Sequence, residues 1–322
     1  MTVMQTSTAG VTPAAKWTIG GSRRPDRKAF ERLFALFAGV PGSGKSTLFE
    51  DGYDIARFDL DRAGSCHPNP KAETWPTLND ARGNPQVIEW PDMREKIRFL
   101  VDLAKQNKPR PKIIAFDTID RWTQIVCDYM LKAAQKAILE NTTSAKDVKM
   151  PESFMELGIG AWGRAYDTIY NSVVELLNAG YGVWLSTHIY EDILKNPDGS
   201  VQRISLHPTW NDGLEKRFKP LLHLQLAVVR HEGTSVVMEP VLDARTNEPI
   251  KLPNGQVKMK AVPTKTTGRR LYFKNGPVFN EGDKARNENA LPDFVDLPIQ
   301  GGYDVFRKAY EDAIATLDSS ES

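Results

Sequence analysis

Cysteine is nearly absent from this chain. Cys66 and Cys127 are the two among 322 residues, too few for a disulfide framework and in keeping with a reducing cytoplasm. Cys66-His67 has no second pair at zinc-finger spacing, so it points to no metal site. Long apolar runs are missing too, and none approaches the ~20 residues of a membrane span. The opening stretch MTVMQTSTAGVTPAAKW has no charged segment followed by an apolar block. The expectation is a flexible polar arm over 1–28 rather than a secretory leader. Net charge is also lacking: 42 Lys and Arg against 41 Asp and Glu leave +1. Bulk attraction to nucleic acid is thereby excluded, and any such site must be a local patch. The expectation is a cytoplasmic protein with no membrane partner.

What is present is a core and a rhythm. Apolar residues make up 40%, enough for one large domain or two smaller ones. Leu33 to Gly39, Tyr53 to Asp61, QVIEW (Gln86 to Trp90), KIIAFD (Lys112 to Asp117) and YGVWLSTH (Tyr181 to His188) read as strands. Pro91 opens a helix with Met93, Ile97, Leu100, Val101 and Leu103 or Ala104 on one face. A second helix carries Ile125, Val126, Tyr129 and Met130 on one side, and a third runs from Trp162 to a stop at Gly180. Residues 62–86 and 141–159 read as polar excursions. This alternation predicts an α/β fold: a parallel sheet with crossover helices. After about 200, LLHLQLAVVRHEG, TSVVMEPVLD and LPNGQVKMKAV alternate apolar with polar residues, and Asn254-Gly255 signals a hairpin. The expected division is an arm (1–28), a core (29–240), a basic β-hairpin extension (241–290), and a terminal helix with its tail (291–322).

The first strand runs into GVPGSGKST, Gly39 to Thr47, which satisfies G-x-x-x-x-G-K-[ST]. A loop of this kind turns successive backbone N–H groups onto phosphate oxygens, and its glycines supply the positive φ and close approach required. Gly39, Pro41, Gly42, Ser43, Gly44, Lys45, Ser46 and Thr47 are therefore the candidate nucleotide-binding residues. Lys45 would reach the β- and γ-phosphates, Ser46 would bring its hydroxyl to Mg²⁺, and the helix starting near Lys45 would add its dipole. ATP with Mg²⁺ is the expected ligand, since a guanine-reading N-K-x-D tetrapeptide is absent.

A magnesium nucleotide also needs a carboxylate at a strand end beside the loop. Asp117, closing KIIAFD, is that acid, opposite Ser46 across the ion. Its plainer use would be to cap the next helix. Hydrolysis needs a group that orients water, and RFDLDR offers Asp61 first and Asp59 second, unless either pairs with Arg57 or Arg62. YGVWLSTH brings Ser186, Thr187 and His188 to the same edge, where a polar group can sense the γ-phosphate. A lone histidine is more often structural.

With the loop, KIIAFDTIDRW and GVWLSTHIYED in hand, the chain resembles the RecA-like P-loop ATPases of phages. Within them it is most similar to the compact AAA-family nucleotide-binding proteins of the single-strand annealing or recombination type. The likeness spans about 33–275 and rests on order: P-loop, acid-ended second strand, amphipathic helix, Asp-Thr-x-Asp, a strand ending in polar residues and His, then a β-rich basic segment. The resemblance implies an oligomeric ATPase acting on DNA, a ring or filament that holds ATP between subunits. A basic residue of the neighbour would complete the site, and Lys265, Arg269 and Arg270 in TKTTGRRLYF hold the matching position. Relatives usually carry Glu where Asp61 stands, longer by one C–C bond.

Between Lys251 and Lys274 the chain has Lys251, Lys258, Lys260, Lys265, Arg269, Arg270 and Lys274, no Asp or Glu, and Tyr272 and Phe273 among them. Cations interleaved with aromatics suit single-stranded DNA. A solvated hairpin or the intersubunit finger would use the same residues. Two other functions also fit the loop. GVPGSGKST followed by FDLDR resembles the polynucleotide-kinase pattern, in which the strand-end Asp activates an acceptor hydroxyl. A nucleotide-gated assembly protein would use ATP only to fix subunit contacts.

Overall fold

The computed structural model describes residues 29–62, 67–76, 87–141, 150–195, 201–242, 248–252, 255–273, 290–298 and 300–320. Of these, 141, 191–195, 201–206, 232–239, 261–267, 318 and 320 are described in backbone only. The N-terminal arm, Cys66, Gln86, Asn254, Lys274 and parts of both polar excursions lie outside the described residues.

The strand before the P-loop, β1 (Phe34–Ala38), lies inside an eight-stranded sheet. On one side of it follow, all parallel, β5 (Gly182–Thr187), β4 (Ile113–Asp117), β2 (Ile55–Asp59) and the short edge strand β3 (Glu73–Trp75). On the other side β8 (Leu224–Pro240) runs parallel to β1 from Ala35↔Leu224 to Ala38↔Ala227. It then continues beyond β1 and pairs antiparallel with β9 (Met259–Tyr272), which is flanked by antiparallel β10 (Phe294–Leu297). A separate hairpin, β6 (Ile189–Lys195) with β7 (Val201–Pro208), rises from the end of β5. The α/β fold expected from the alternation, with its antiparallel hairpins, is the fold the chain adopts. The boundaries expected at 240 and 290 fall within a single sheet, because β8, β9 and β10 are strands of the same sheet as β1.

β1, β4 and β5 are buried at every position, as strands covered on both faces must be. Alternation sorts their side chains. Phe34, Leu36, Ile114, Phe116, Val183 and Leu185 pack with α2 (Trp90–Lys105), α3 (Ile119–Asn141), α4 (Ile159–Asn178) and α5 (Asp212–Phe218). Ala35, Phe37, Ile113, Ala115 and Trp184 pack with α1 (Lys45–Glu50), the 3-10 turn Phe30–Arg32 and α6 (Gly302–Ser320). Trp184 is the centre of that second layer, its ring 5.1 to 5.9 Å from those of Phe30, Phe37, Phe49 and Phe306. No helix among the described residues is long and apolar enough to cross a membrane.

Two expected elements differ. QVIEW is not a strand: Val87 to Glu89 join no ladder, and Trp90 is the first residue of α2. Pro91 sits in the first helical turn, where its missing N–H costs nothing, and Trp90 packs its ring toward Trp122, 6.5 Å away. On α3 the buried side is Ile119, Trp122, Ile125 and Val126. Tyr129 is exposed because the second half of the helix runs past the edge of the core. At the far end of the β8–β9 hairpin Gly255 takes φ +80, and its N–H donates to the Leu252 carbonyl inside the Lys251↔Val257 bridge.

Candidate active site

β1 ends at Ala38, and the chain turns through the glycine loop into α1. Gly42 (φ +76) and Gly44 (φ +99) adopt left-handed backbone that glycine takes without strain. Gly39 is required for another reason: a Cβ there would stand 2.5 Å from both the Ser43 hydroxyl and the Val228 carbonyl. Lys45 folds back into the loop and is buried, donating to the Gly39 carbonyl at 2.6 Å and the Val40 carbonyl at 3.2 Å. Burial pushes its pKa down, and the carboxylates of Asp117, Asp120 and Asp61 partly offset this. Asp117 and Asp120 flank the β4–α3 junction, and Asp61 reaches the same junction through Thr118. Ser43 is fully buried, and its hydroxyl has no hydrogen-bond partner among the described residues. Ser46 and Thr47 are half-buried, with Pro41 exposed at the mouth. α1 has only six residues, under two turns, so its dipole is small.

Asp117 ends β4, and a single strand, β5, separates it from β1. Its carboxylate is held from two sides. Ser186 of β5 donates to Oδ1, while Arg57 of β2 donates to Oδ2 through Nε at 3.1 Å and Nη2 at 2.8 Å. Arg57 has no exposed side-chain surface, and it also pairs with Glu50 (2.6 Å) at the end of α1 and with Asp59 (3.1 Å). The alternative of an arginine partner thus describes Asp59, which is paired with Arg57. Asp61 meets His188 instead, Nε2 to Oδ2 at 3.4 Å, and accepts from the Thr118 hydroxyl at 3.4 Å. Burial would raise the Asp61 pKa. The hydrogen bond and charge of His188, with Thr118 and Arg121, outweigh it and hold the carboxyl below its usual range. The N–H groups of Leu60 and Asp61 both donate to the Asp117 carbonyl, at 2.8 and 3.3 Å, which ties the end of β2 to the end of β4.

Asp120, in the first turn of α3, collects the Thr187 hydroxyl (3.1 Å), the Thr209 hydroxyl (2.7 Å) and the His188 N–H (3.1 Å). It pins the end of β5 to the return of the β6–β7 hairpin. Sequence reasoning assigned no role to Asp120, Thr209 or Arg57 of this kind. The Asp-x-x-Asp spacing across a strand–helix junction was the available signal for Asp120, and an arginine inside IARFD was the signal for Arg57.

Of the three cations named for a neighbouring subunit's site, Arg269 and Arg270 have described side chains. Arg269 turns onto its own P-loop, donating to the Gly44 carbonyl at 3.3 Å and to the Pro298 carbonyl. Arg270, on the opposite face of β9, pairs with Asp296 at 2.8 Å and lies 3.9 Å over the Phe294 ring. Both have partners within the chain. The cause is register, since β9 runs back along β8 and returns this stretch to the loop. Lys265 sits on β9 opposite Thr234, and its side chain lies outside the described residues. Lys251, Lys258 and Lys260 are exposed near the hairpin's far end, whereas Phe273 is buried and Tyr272 half-buried.

This donor set fits a magnesium triphosphate. Mg²⁺ takes one or two protein oxygens and fills its shell with water and phosphate. Asp117 accepts three hydrogen bonds out of about four lone-pair sites, which leaves room for a metal-bound water. A family model described as an AAA domain matches residues 32–284. No curated protein matches. Among solved structures the chain is similar to a KaiC-like protein from the hyperthermophilic archaeon Pyrococcus horikoshii OT3, at 12% identity and a TM-score of 0.31, over 72% of this chain and 85% of that one.

Proposed function

The chain belongs to the AAA domain family, and on that premise we propose that it hydrolyses ATP with Mg²⁺ as an oligomeric, RecA-like protein. Its work would be on single-stranded DNA, in phage recombination, annealing or repair in the host cytoplasm. The observation that carries the reading is the set of acids at the strand ends beside the P-loop: Asp117 closes β4, Asp120 opens α3, and Asp61 follows β2 with its carboxylate on Thr118.

In this reading the loop from Gly39 to Thr47 wraps the β-phosphate with its N–H groups. Lys45 leaves the Gly39 and Val40 carbonyls for the β- and γ-phosphate oxygens. Ser46 and Asp117 would hold Mg²⁺, which when bound would supply positive charge to the triphosphate. Asp61 faces the attacking water. A carboxylate held below its usual pKa is a weak base, so its main task is to orient that water as its proton departs. His188 lies between Asp61 and the β6–β7 hairpin and reports the γ-phosphate.

Lys251, Lys258 and Lys260 stand exposed beside Leu252, Val257 and Met259, a surface that suits phosphates and unstacked bases. In a ring or filament, as the resemblance implies, a neighbouring subunit's Lys265 would complete the site. The test is ATP turnover with and without single-stranded DNA, in wild type and Lys45→Ala, with size analysis in each nucleotide state. DNA-stimulated phosphate release that Lys45→Ala loses is the expected result, with DNA affinity falling steeply as salt rises. Absence of turnover would sink the ATPase reading. Transfer of the γ-phosphate to a DNA 5′-hydroxyl would make the protein a kinase, and nucleotide-dependent assembly without turnover would make it a gated scaffold.

A further inference from the structure

The β8–β9 register sets Arg230 opposite Arg269, so two guanidinium groups stand beside one P-loop. Strand lengths explain why. β1 stops at Ala38, which is level with Ala227, while β8 runs on. A few residues further along, Arg230 overhangs the loop, its Nη1 3.9 Å from the place a Gly42 Cβ would occupy. Arg269 lies against the loop's flank, where a Cβ on Gly44 would overlap its side chain. Its guanidinium is fixed by the carbonyls of Gly44 and Pro298, and its Nε is buried with no hydrogen-bond partner. Burial pushes the Arg269 pKa down, Asp51 pulls it up, and Arg230 pushes it down again. Among the described residues, neither arginine has a carboxylate at ion-pair distance. The pair therefore lacks an anion, and it stands at the mouth of a loop shaped for phosphate.

We propose that Arg230 binds the phosphate chain of the nucleotide held by its own subunit, and that Arg269 is the positioning residue that keeps Arg230 over the loop. The assignment rests on the nucleotide-binding reading above. Arg269 is tethered to two neutral carbonyls and cannot swing out, and its charge keeps Arg230 from folding down beside it. Arg230 is exposed, and its long side chain can reach a phosphate, whose oxygens match the guanidinium fork. The contact is made in cis because β8 is hydrogen-bonded to the same β1 that feeds the loop. A charge-assisted hydrogen bond also strengthens where the surrounding loop excludes water.

The experiment is equilibrium titration with a fluorescent ADP analogue and Mg²⁺. Arg230→Ala should bind about 10- to 100-fold more weakly than wild type. Arg230→Lys should fall between, since it keeps the charge and loses the fork. The thermal midpoint should not change, because Arg230 is exposed. Wild-type affinity in Arg230→Ala would overturn the proposal and leave the nucleotide-binding reading standing, whereas a wild type that binds no adenine nucleotide overturns that reading itself. Mixing Arg230→Ala with Lys45→Ala subunits separates cis from trans. Recovered turnover would mean that a neighbour's arginine does the work, and would overturn the cis assignment. Arg269→Lys should also weaken binding, and combining it with Arg230→Ala should add almost nothing, because one acts through the other. Fully additive effects would remove Arg269 from the positioning role.

Discussion

Arg57 offers the most direct test of how the site is built. Arg57→Met removes a cation from among three carboxylates: Glu50 at 2.6 Å, Asp59 at 3.1 Å and Asp117 at 2.8 Å, each with side-chain exposure of 4% or less. Methionine fills much of the same space, so the loss is mainly electrostatic. Stripping a buried ion-pair network of one sign costs about 3–5 kcal/mol, a large share of a total stability of about 5–15 kcal/mol. At a urea slope of about 3 kcal/mol per molar, the unfolding midpoint should drop by about 1 to 1.7 M. Arg57→Lys keeps the charge but cannot span Asp117 and Asp59 with one planar group, so roughly half of that loss is expected. Tryptophan fluorescence follows the transition well, because Trp122 and Trp184 are fully buried in opposite layers. In Arg57→Lys, Asp117 would lose the paired Nε and Nη2 contact, so the Mg²⁺ concentration for half-maximal turnover should rise. A midpoint shift in Arg57→Met smaller than about 0.3 M, under ~1 kcal/mol, would refute the electrostatic account.

Asp61→Asn should abolish ATP hydrolysis and leave fluorescent-nucleotide affinity near wild type; unchanged turnover rejects its assignment as the water-orienting group. Gly44→Ala forces a Cβ into φ +99 and into the Arg269 side chain, so a loss of about 1–3 kcal/mol and of nucleotide binding is expected. Calorimetry showing an unchanged midpoint would count against that geometry. Burial, with the charge of Asp128, pushes the Cys127 thiol up to about 11. At pH 8 roughly one thiol in a thousand is then thiolate. In a Cys66→Ser background, alkylation should be slow and should climb about tenfold per pH unit between pH 8 and 10; a rate that is flat over that range contradicts the burial.

What was legible in the sequence was local. The glycine loop, the apolar strand closed by Asp117 and the amphipathic stripe of α2 each lie within a dozen or so residues, where spacing alone reports on geometry. QVIEW misled because five apolar-leaning residues cannot separate a strand from the entry to a capped helix. Only Pro91 and the Trp90–Trp122 contact decide it. Arg57 was read as a possible partner for Asp59 or Asp61. That it gathers acids from α1, β2 and β4 depends on strand order, which no local pattern encodes. Arg269 and Arg270 are adjacent cations in sequence, yet pleating sends one to the P-loop and the other to Asp296 and Phe294. Arg230 lay in a segment read only as alternating, because its place depends on how far β8 outruns β1.

The second layer of the core joins distant parts of the chain. Phe30 and Phe306 meet ring to ring at 5.0 Å, the Asp51 carboxylate accepts the Tyr303 N–H at 3.0 Å, and Arg307 pairs with Glu31 across 276 residues of sequence. During synthesis on the ribosome, the phosphate-binding turn emerges early, but the strand that supports it keeps one greasy side uncovered until the final helix is released. Chains that stop before Gly302 therefore lack the Tyr303 and Phe306 rings that pack on Phe37 and Trp184. One side of the strand beneath the P-loop is thus completed late, although the loop itself is among the first segments made.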